Sequence, residues 1–159
     1  MNRQPTPSPI QSPPPTVAYP MDGEGSLIFR VTTAKGAIPL ENARVTLWDR
    51  LPEPNTNRGN TRGVFSTDRN GRTPVIPLPA PAQALSMAPA PQGSPPPFAC
   101  YDAEVLLEGY TTMTFVCIPV FDGITSLQPA DLIPLPQNGY PDGITPDGLR
   151  IVEGENPNL

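Results

Sequence analysis

Histidine is absent from this chain, lysine occurs once, at Lys35, and no apolar run approaches the roughly 20 residues that a membrane-spanning helix needs. Without an imidazole, the chain cannot build a Ser-His-Asp or Cys-His catalytic site, or a metal site that uses histidine. The net charge is −5, and no cluster of Lys and Arg is available to neutralise phosphates. We therefore expect no enzymatic activity, cofactor, bound metal, nucleic-acid partner or membrane span.

Proline is abundant, with 26 residues, and its clusters divide the chain. The prolines crowd residues 5–20, 74–97 and 129–146, and apolar runs of β type lie between them. This distribution predicts a Pro-rich extended N-terminal arm over residues 1–24, a folded domain over 25–135 and an irregular tail over 136–159. The arm lacks the apolar stretch of a secretory signal. Two explanations stay open: cytoplasmic synthesis with non-standard release, or a leader that this sequence does not include.

The segment from Phe98 to Val120 predicts one long β-hairpin. Both flanks are rich in β-branched and aromatic residues, and Glu108-Gly109 supplies a two-residue turn in which glycine can take a positive φ. A regular register from this turn places Cys100 opposite Cys117. The two cysteines could then form a disulfide or stay as reduced thiols, and the sequence leaves both alternatives open.

Seven short strands joined by turn signals, without helical periodicity, predict a seven-stranded antiparallel β-sandwich. Besides the two hairpin strands, they cover residues 25–33, 43–48, 64–67 and 72–78, and a last strand at Leu132 and Ile133 within 127–135. The turn at 68–71 should return 72–78 antiparallel to 64–67, and Pro74 and Pro77 restrict this strand to an edge or a short pairing. The Ala/Pro-rich segment 79–97 is predicted to be a surface loop. The residues predicted to supply the core are Leu27, Phe29, Val31, Val45, Leu47, Tyr101, Ala103, Val105, Val116, Ile118 and Val120.

Three short motifs occur in an order that resembles one family of sandwich modules. They are Pro39-Leu40-Glu41-Asn42-Ala43-Arg44-Val45, Thr67-Asp68-Arg69-Asn70-Gly71 and Gly109-Tyr110. Their order resembles that in carboxypeptidase regulatory-like domains of the transthyretin-like (prealbumin-like) superfamily, over residues 25–135. Segment 120–128 is similar to versions from spore-forming Gram-positive bacteria. The resemblance implies a transthyretin-like or Ig-like sandwich, and the enzymes of this superfamily depend on histidines that this chain lacks.

Several charged residues give candidate sites that each have a simpler structural explanation. Asp102 and Glu104 project from one strand face and could form a catalytic carboxylate pair, but a solvated face is the favoured interpretation. Asp68 begins a segment with some calcium-loop character, yet Pro79 occupies the twelfth position, where a carboxylate ligand is needed, so a turn is favoured. Lys35 lies in a predicted turn rather than in a strand, which disfavours an isopeptide bond.

Two further groups could contact a cell-wall glycan. Four arginines gather around one loop and hairpin, namely Arg58, Arg62, Arg69 and Arg72, and they could bind an anionic polymer. An ordinary solvated face is the favoured interpretation. Trp48 and Tyr110 could form a platform that stacks on sugars, although packing in the core or at an edge is the usual role of such aromatics.

Two terminal segments lead to the functional expectation. The N-terminal arm favours polyproline II, and the apolar island from Leu149 to Val152 has no evident partner in its own domain. We expect these segments to dock on sheet edges, so that the protein associates with itself, head to tail, into filaments. The residues expected to take part are Pro13, Pro14, Pro15, Val17, Tyr19, Leu149, Ile151 and Val152. The competing explanation is that both arms are solvated linkers.

The sequence therefore predicts a non-catalytic structural or assembly protein of a bacterial cell or spore surface. The alternative is an accessory binding module that holds a partner, such as an envelope hydrolase, against peptidoglycan. In the first case the main partner is a second copy of the chain, and in the second it is cell-wall glycan.

Overall fold

The computed structural model describes residues 20–51, 57–87, 92, 96–136 and 149–153. These residues form one short helix, α1 (Ala84–Met87), and nine strands. The strands are β1 (Gly23–Thr33), β2 (Ile38–Pro39), β3 (Arg44–Asp49), β4 (Thr61–Ser66), β5 (Ile76–Ala80), β6 (Ala99–Leu106), β7 (Thr112–Val120), β8 (Thr125–Asp131) and β9 (Leu149–Glu153). The two strands beyond the expected seven are β2 and β9, and α1 lies in the segment predicted to be a loop.

Two sheets face each other across one core. In the four-stranded sheet, β8 runs parallel to β1 on one side, while β2 and β5 pair antiparallel with it on the other. The five-stranded sheet has the order β4-β3-β6-β7-β9 and is antiparallel except for the pairing of β7 with β9. The prediction of an all-β sandwich is confirmed. The two parallel pairings were not expected, and that of β8 arises because the chain crosses between the sheets after β7.

The core lies between the sheets and includes every predicted core residue except Val116, which is only half-buried. The prediction for Val116 is wrong. In place of Val116, the core contains two residues of β7 that were not among the predicted core residues, Met113 and Phe115, of which Phe115 has no exposed surface. The Phe115 ring meets Phe29 of the opposite sheet edge to face, with the ring centroids 5.8 Å apart.

Two one-residue shifts of register in the hairpin explain this exchange. The turn is the one predicted, since Gly109 has a φ of +83°. Near the turn, Val105 pairs with Met113 instead of Thr112, its partner in the regular register, so Met113 and Phe115 point inward.

A β-bulge further along β7 then returns Ile118 and Val120 to their predicted faces. The register of β7 slips between Tyr101 and Ala103 of the partner strand, because Val116 and Cys117 together oppose a single residue of β6. Each extra residue in a strand reverses the faces of the residues that follow it. Phe115 and Ile118 therefore both point inward, although their numbers differ in parity.

The turn at residues 68–71 does not close the hairpin that the sequence predicts between strands 64–67 and 72–78. β4 and β5 belong to different sheets. Thr73 attaches the returning chain to β1, because its N–H donates to the Phe29 carbonyl oxygen at 3.1 Å and its Oγ1 accepts the Phe29 N–H at 3.0 Å. Pairing with β1 thus replaces pairing with β4, and β5, which contains Pro77, lies at an edge as predicted.

The C-terminal tail contributes a strand to the domain. β9 pairs in parallel with β7, from Leu149 opposite Thr112 to Glu153 opposite Val116. The expectation that the apolar island lacks a partner in its own domain is therefore wrong. The residues of the N-terminal arm named above, Pro13, Pro14, Pro15, Val17 and Tyr19, lie outside the described residues.

Candidate functional site

The bulge in β7 carries a disulfide and a hydrogen bond to Asp102 on the outer face of the hairpin. Cys100 and Cys117 are joined by a disulfide, with their Cα atoms 4.6 Å apart. The N–H of Cys117, a residue with a φ of +55°, donates to Asp102 Oδ1 at 2.9 Å, and Arg50 Nη1 donates to the same oxygen at 3.2 Å. The Asp102 carboxylate therefore binds the bulge to the segment that follows β3. Of the two states left open for the cysteines, the structure has the disulfide.

Asp102 and Glu104 share the outer face of β6, as the alternation predicts, but each carboxylate has an arginine partner. Asp102 pairs with Arg50, and Glu104 accepts a hydrogen bond from Arg58 Nη2 at 2.8 Å. The Arg58 guanidinium also lies over the Trp48 ring, 4.0 Å from its centroid. Both carboxylates are thus engaged by cations that hold them in place. This geometry favours the structural explanation over acid–base chemistry.

Trp48 and Tyr110 do not form a joint platform for sugars. Trp48 lies on β3 opposite Asp102, and Arg58 covers one face of its ring. Tyr110 lies at the hairpin turn, beyond the other end of β6, where its backbone bridges to Pro134. The two aromatic rings therefore occupy opposite ends of the sheet.

The predicted group of four arginines is divided by β4. Arg58 precedes this strand and is paired as described above. Arg62 lies within β4, and its Nε donates to the Asp49 carboxylate, a hydrogen bond that raises the pKa of Arg62. Arg69 and Arg72 follow the far end of the strand, in and after the turn at residues 68–71. The four therefore do not form one patch for an anionic polymer.

An open cleft of about 450 Å³ lies at the end of the sandwich where β3 ends and β6 begins. Its wall includes Met21, Arg50, Arg62, Pro79 and Tyr101. The Tyr101 hydroxyl donates to the Pro79 carbonyl oxygen at 2.7 Å, and burial raises the pKa of Tyr101 to about 12, so this phenol stays protonated at neutral pH. Met21 directly follows the last proline of the predicted arm, Pro20, so the arm joins the domain beside this cleft.

The turn that begins at Asp68 uses its carboxylate internally. Asp68 Oδ1 accepts the backbone N–H groups of Arg72 at 3.0 Å and Asn70 at 2.8 Å, and the bond from Arg72 is the main cause that lowers the pKa of Asp68. The predicted turn is therefore present. Among the residues that the structure describes, no group of three or more His, Cys, Asp or Glu side chains is placed to hold a metal ion. Lys35 lies in a turn, as predicted, and not in a strand, with a backbone φ of +57°.

Among the described residues, five strands have a paired neighbour on one side only, namely β2, β4, β5, β8 and β9. Within the described ranges, β4 pairs with β3 alone and β8 with β1 alone. β4 contains no proline, and Val64 on it is 58% exposed. β4 and β8 thus present backbone N–H and C=O groups to solvent, and such edges can accept a further strand. In that same part of the chain, no helix has the length and apolar character needed to cross a membrane.

Comparison with other proteins finds no matching family model and no match among curated proteins. Solved structures with a similar backbone include the Bacillus anthracis TIE protein, which is 15% identical with a TM-score of 0.41, over 71% of this chain and 17% of that one. An (S)-allantoin synthase is 17% identical with a TM-score of 0.41, over 69% and 40%. Catechol 1,2-dioxygenase from Acinetobacter sp. ADP1 is 16% identical with a TM-score of 0.41, over 82% and 59%. The chain thus spans less than two thirds of each of these proteins.

Proposed function

We propose that this chain is a non-catalytic structural protein of a bacterial cell or spore surface, whose copies associate head to tail into filaments through terminal segments that pair with sheet edges. The observation that supports this most directly is β9, a five-residue strand of the C-terminal tail that adds to the sheet at β7. Strand addition of this kind is a common way for one chain to hold another. The same pairing, made with β7 of a second copy, would join two molecules.

Protein concentration decides between the two pairings. Segments 149–153 and 112–120 are connected through residues 121–148 of one chain, and connections of such modest length give effective concentrations in the millimolar range. Pairing within the chain is therefore favoured in dilute solution. Exchange of the strand between copies needs no new contact surface, and it becomes competitive on the order of 1 mM, a local density that proteins reach when they are deposited on a surface.

The open edge of β4 is the site that we assign to the N-terminal arm of a neighbouring copy. This edge has no proline to interrupt a ladder of hydrogen bonds, and Val64 offers apolar surface beside it. Val17 and Tyr19 are the apolar residues of the arm that would contact it. Pro13, Pro14 and Pro15 favour an extended backbone before docking, which lowers the entropy lost on binding.

Contacts between unlike surfaces of successive copies propagate unless the rotation between them closes a ring, so a filament is the expected product. The disulfide between Cys100 and Cys117 supports a location outside the reducing cytosol. The absence of histidine supports a function without catalysis. Membership of the carboxypeptidase regulatory-like family stays a prediction from the sequence motifs.

Sedimentation velocity and electron microscopy over a range of protein concentrations test this proposal. The key variant is Ile151→Pro, because proline removes a backbone donor from β9 and leaves the composition of the tail almost unchanged. Asn158→Pro, beyond β9, is the matched control. We expect the wild type and Asn158→Pro to form filaments as the concentration rises towards 1 mM, as the effective-concentration argument requires, whereas Ile151→Pro and a deletion of residues 1–20 do not.

Three outcomes would contradict the proposal. The first is a full-length protein that stays monomeric throughout the concentration range. The second is normal assembly of both Ile151→Pro and the N-terminal deletion. The third is quantitative retention of the protein on purified peptidoglycan without self-association, which would support the accessory binding module instead.

A further inference from the structure

Two arginines lie side by side on the outer face of the four-stranded sheet. Arg30 on β1 and Arg72, which follows the turn at residues 68–71, face each other in an isolated antiparallel β-bridge. Residues directly opposite in such a bridge have Cα atoms about 4.5–5.5 Å apart, and their side chains leave the same face of the sheet. Both arginines are exposed to solvent. The sequence analysis missed Arg30 because only strand pairing brings it to Arg72.

No carboxylate of the described residues neutralises this pair by direct contact. The ion pairs in that part of the chain involve Arg50, Arg58 and Arg62. Asp68, in the adjoining turn, attracts Arg72 only at longer range, and its Oδ1 is occupied by backbone N–H groups. Like charges directly opposite on one face of a sheet are destabilising. A bound anion would remove this repulsion.

The two guanidinium groups line an open cleft of about 420 Å³, together with Asn70 and Pro39. The cleft is built on a closely packed turn. Gly71 has a φ of +73°, and a Cβ at this position would lie against the Val31 carbonyl oxygen and 3.2 Å from Pro39 Cβ. The glycine therefore allows the turn to lie directly on β1 and β2. This contact fixes Asn70 and Arg72 beside Arg30.

We propose that this cleft binds an oxyanion group, a phosphate or a carboxylate, carried by a polyanionic partner. The planar fork of donors in arginine matches two oxygens of a phosphate or carboxylate, and two such forks can hold one group from two sides. The Asn70 side-chain amide adds a neutral donor at the rim. Because the cleft is open, it accepts one group of a chain that continues past it, and the exposed Arg69 in the same turn extends the positive surface.

Titration calorimetry with tripolyphosphate and with poly-L-glutamate tests the proposal, at about 0.01 M ionic strength, where charges are screened over roughly 30 Å. The variants are Arg30→Gln, Arg72→Gln and their double substitution. Arg44→Gln is the matched control, because Arg44 is an exposed arginine at the start of β3 in the other sheet and its loss changes the net charge equally. Arg30→Lys with Arg72→Lys keeps both charges but removes the forks.

We expect each Gln substitution to weaken the tighter-binding probe by about tenfold, the loss typical of one charge-assisted hydrogen bond, and Arg44→Gln to leave its affinity within about twofold. The double Lys variant should recover only part of the lost affinity. Tighter binding of tripolyphosphate identifies a phosphate-bearing partner, and tighter binding of poly-L-glutamate a carboxylate polymer. The proposal fails if the wild type binds neither probe, or if the double Gln variant binds as tightly as Arg44→Gln. Thermal melting curves confirm that every variant is folded.

Discussion

The register of the hairpin decides which of two neighbouring residues, Phe115 or Val116, belongs to the core, and paired alanine substitutions measure this directly. Phe115 is fully buried and meets Phe29 across the sandwich, whereas Val116 is half-buried on the outer face. The regular register, in which Cys100 lies opposite Cys117, would bury Val116 and turn Phe115 towards the outside. The two registers therefore predict opposite orders for the loss of stability caused by Phe115→Ala and by Val116→Ala.

The expected magnitudes follow from burial. Removal of a fully buried phenylalanine side chain costs about 3–5 kcal/mol, which includes the loss of the edge-to-face contact with Phe29. Full burial of a valine side chain contributes about 1.5–3 kcal/mol, and the part of Val116 that alanine lacks is only partly covered, so Val116→Ala should cost about 1 kcal/mol or less. A difference of about 3 kcal/mol between the two variants is expected.

Urea unfolding with the disulfide intact provides the measurement. With an m value of about 2 kcal/mol/M, Phe115→Ala should lower the midpoint by roughly 2 M and Val116→Ala by at most about 0.5 M. Phe115→Leu is the second variant. It should lose less stability than Phe115→Ala, so its unfolding midpoint stays measurable if Phe115→Ala is largely unfolded in water. Non-reducing mass spectrometry checks that the bond between Cys100 and Cys117 is the same in all samples. The observed register is refuted if Val116→Ala lowers the midpoint as much as Phe115→Ala.

Three further substitutions test other parts of the fold. Val105→Asp places a carboxylate at a position without exposed surface and should cost several kcal/mol, about as much as the domain's whole stability, so a cooperative melt at the wild-type temperature would contradict the face assignment. Gly25→Ala should lower the melting temperature strongly, because the new Cβ would overlap the Phe121 carbonyl oxygen; an unchanged melt would show that β1 has room here. The Asp122 carboxylate accepts the backbone N–H groups of Gln83 and Glu24, and these hydrogen bonds, the one from Gln83 most strongly, lower the pKa of Asp122 in the folded state. The stability that Asp122 contributes is therefore present above its unfolded pKa. It is lost as the pH falls through the lower pKa of the folded state. Melting curves from pH 7 down to about 3 should therefore show a smaller acid-induced loss for Asp122→Asn than for the wild type, and equal slopes would rule out this contribution.

Part of the geometry of the candidate sites can be predicted from the sequence. Asp102 and Glu104 share a face, as strict alternation along β6 requires, and Cys100 joins Cys117 because the hairpin brings the two strands together in either register. The neighbours of these groups are not local. Arg50 meets Asp102 only because β3 lies beside β6, and Arg30 meets Arg72 only because the chain crosses to the other sheet after residue 71.

The sequence by itself determined the properties that depend on a few adjacent residues. Alternation along β1, β3 and β6 identifies the inward side chains, since the period of two in a strand is a local property. Glycines that can take a positive φ place the turns at Gly36, Gly71 and Gly109. The tertiary structure alone decided the bulge at Val116 and Cys117, the sheet to which β5 and β8 belong, and the addition of β9 to β7. Each of these depends on which distant backbone groups complete the hydrogen bonds of a strand, and the local pattern of side chains is the same for either partner.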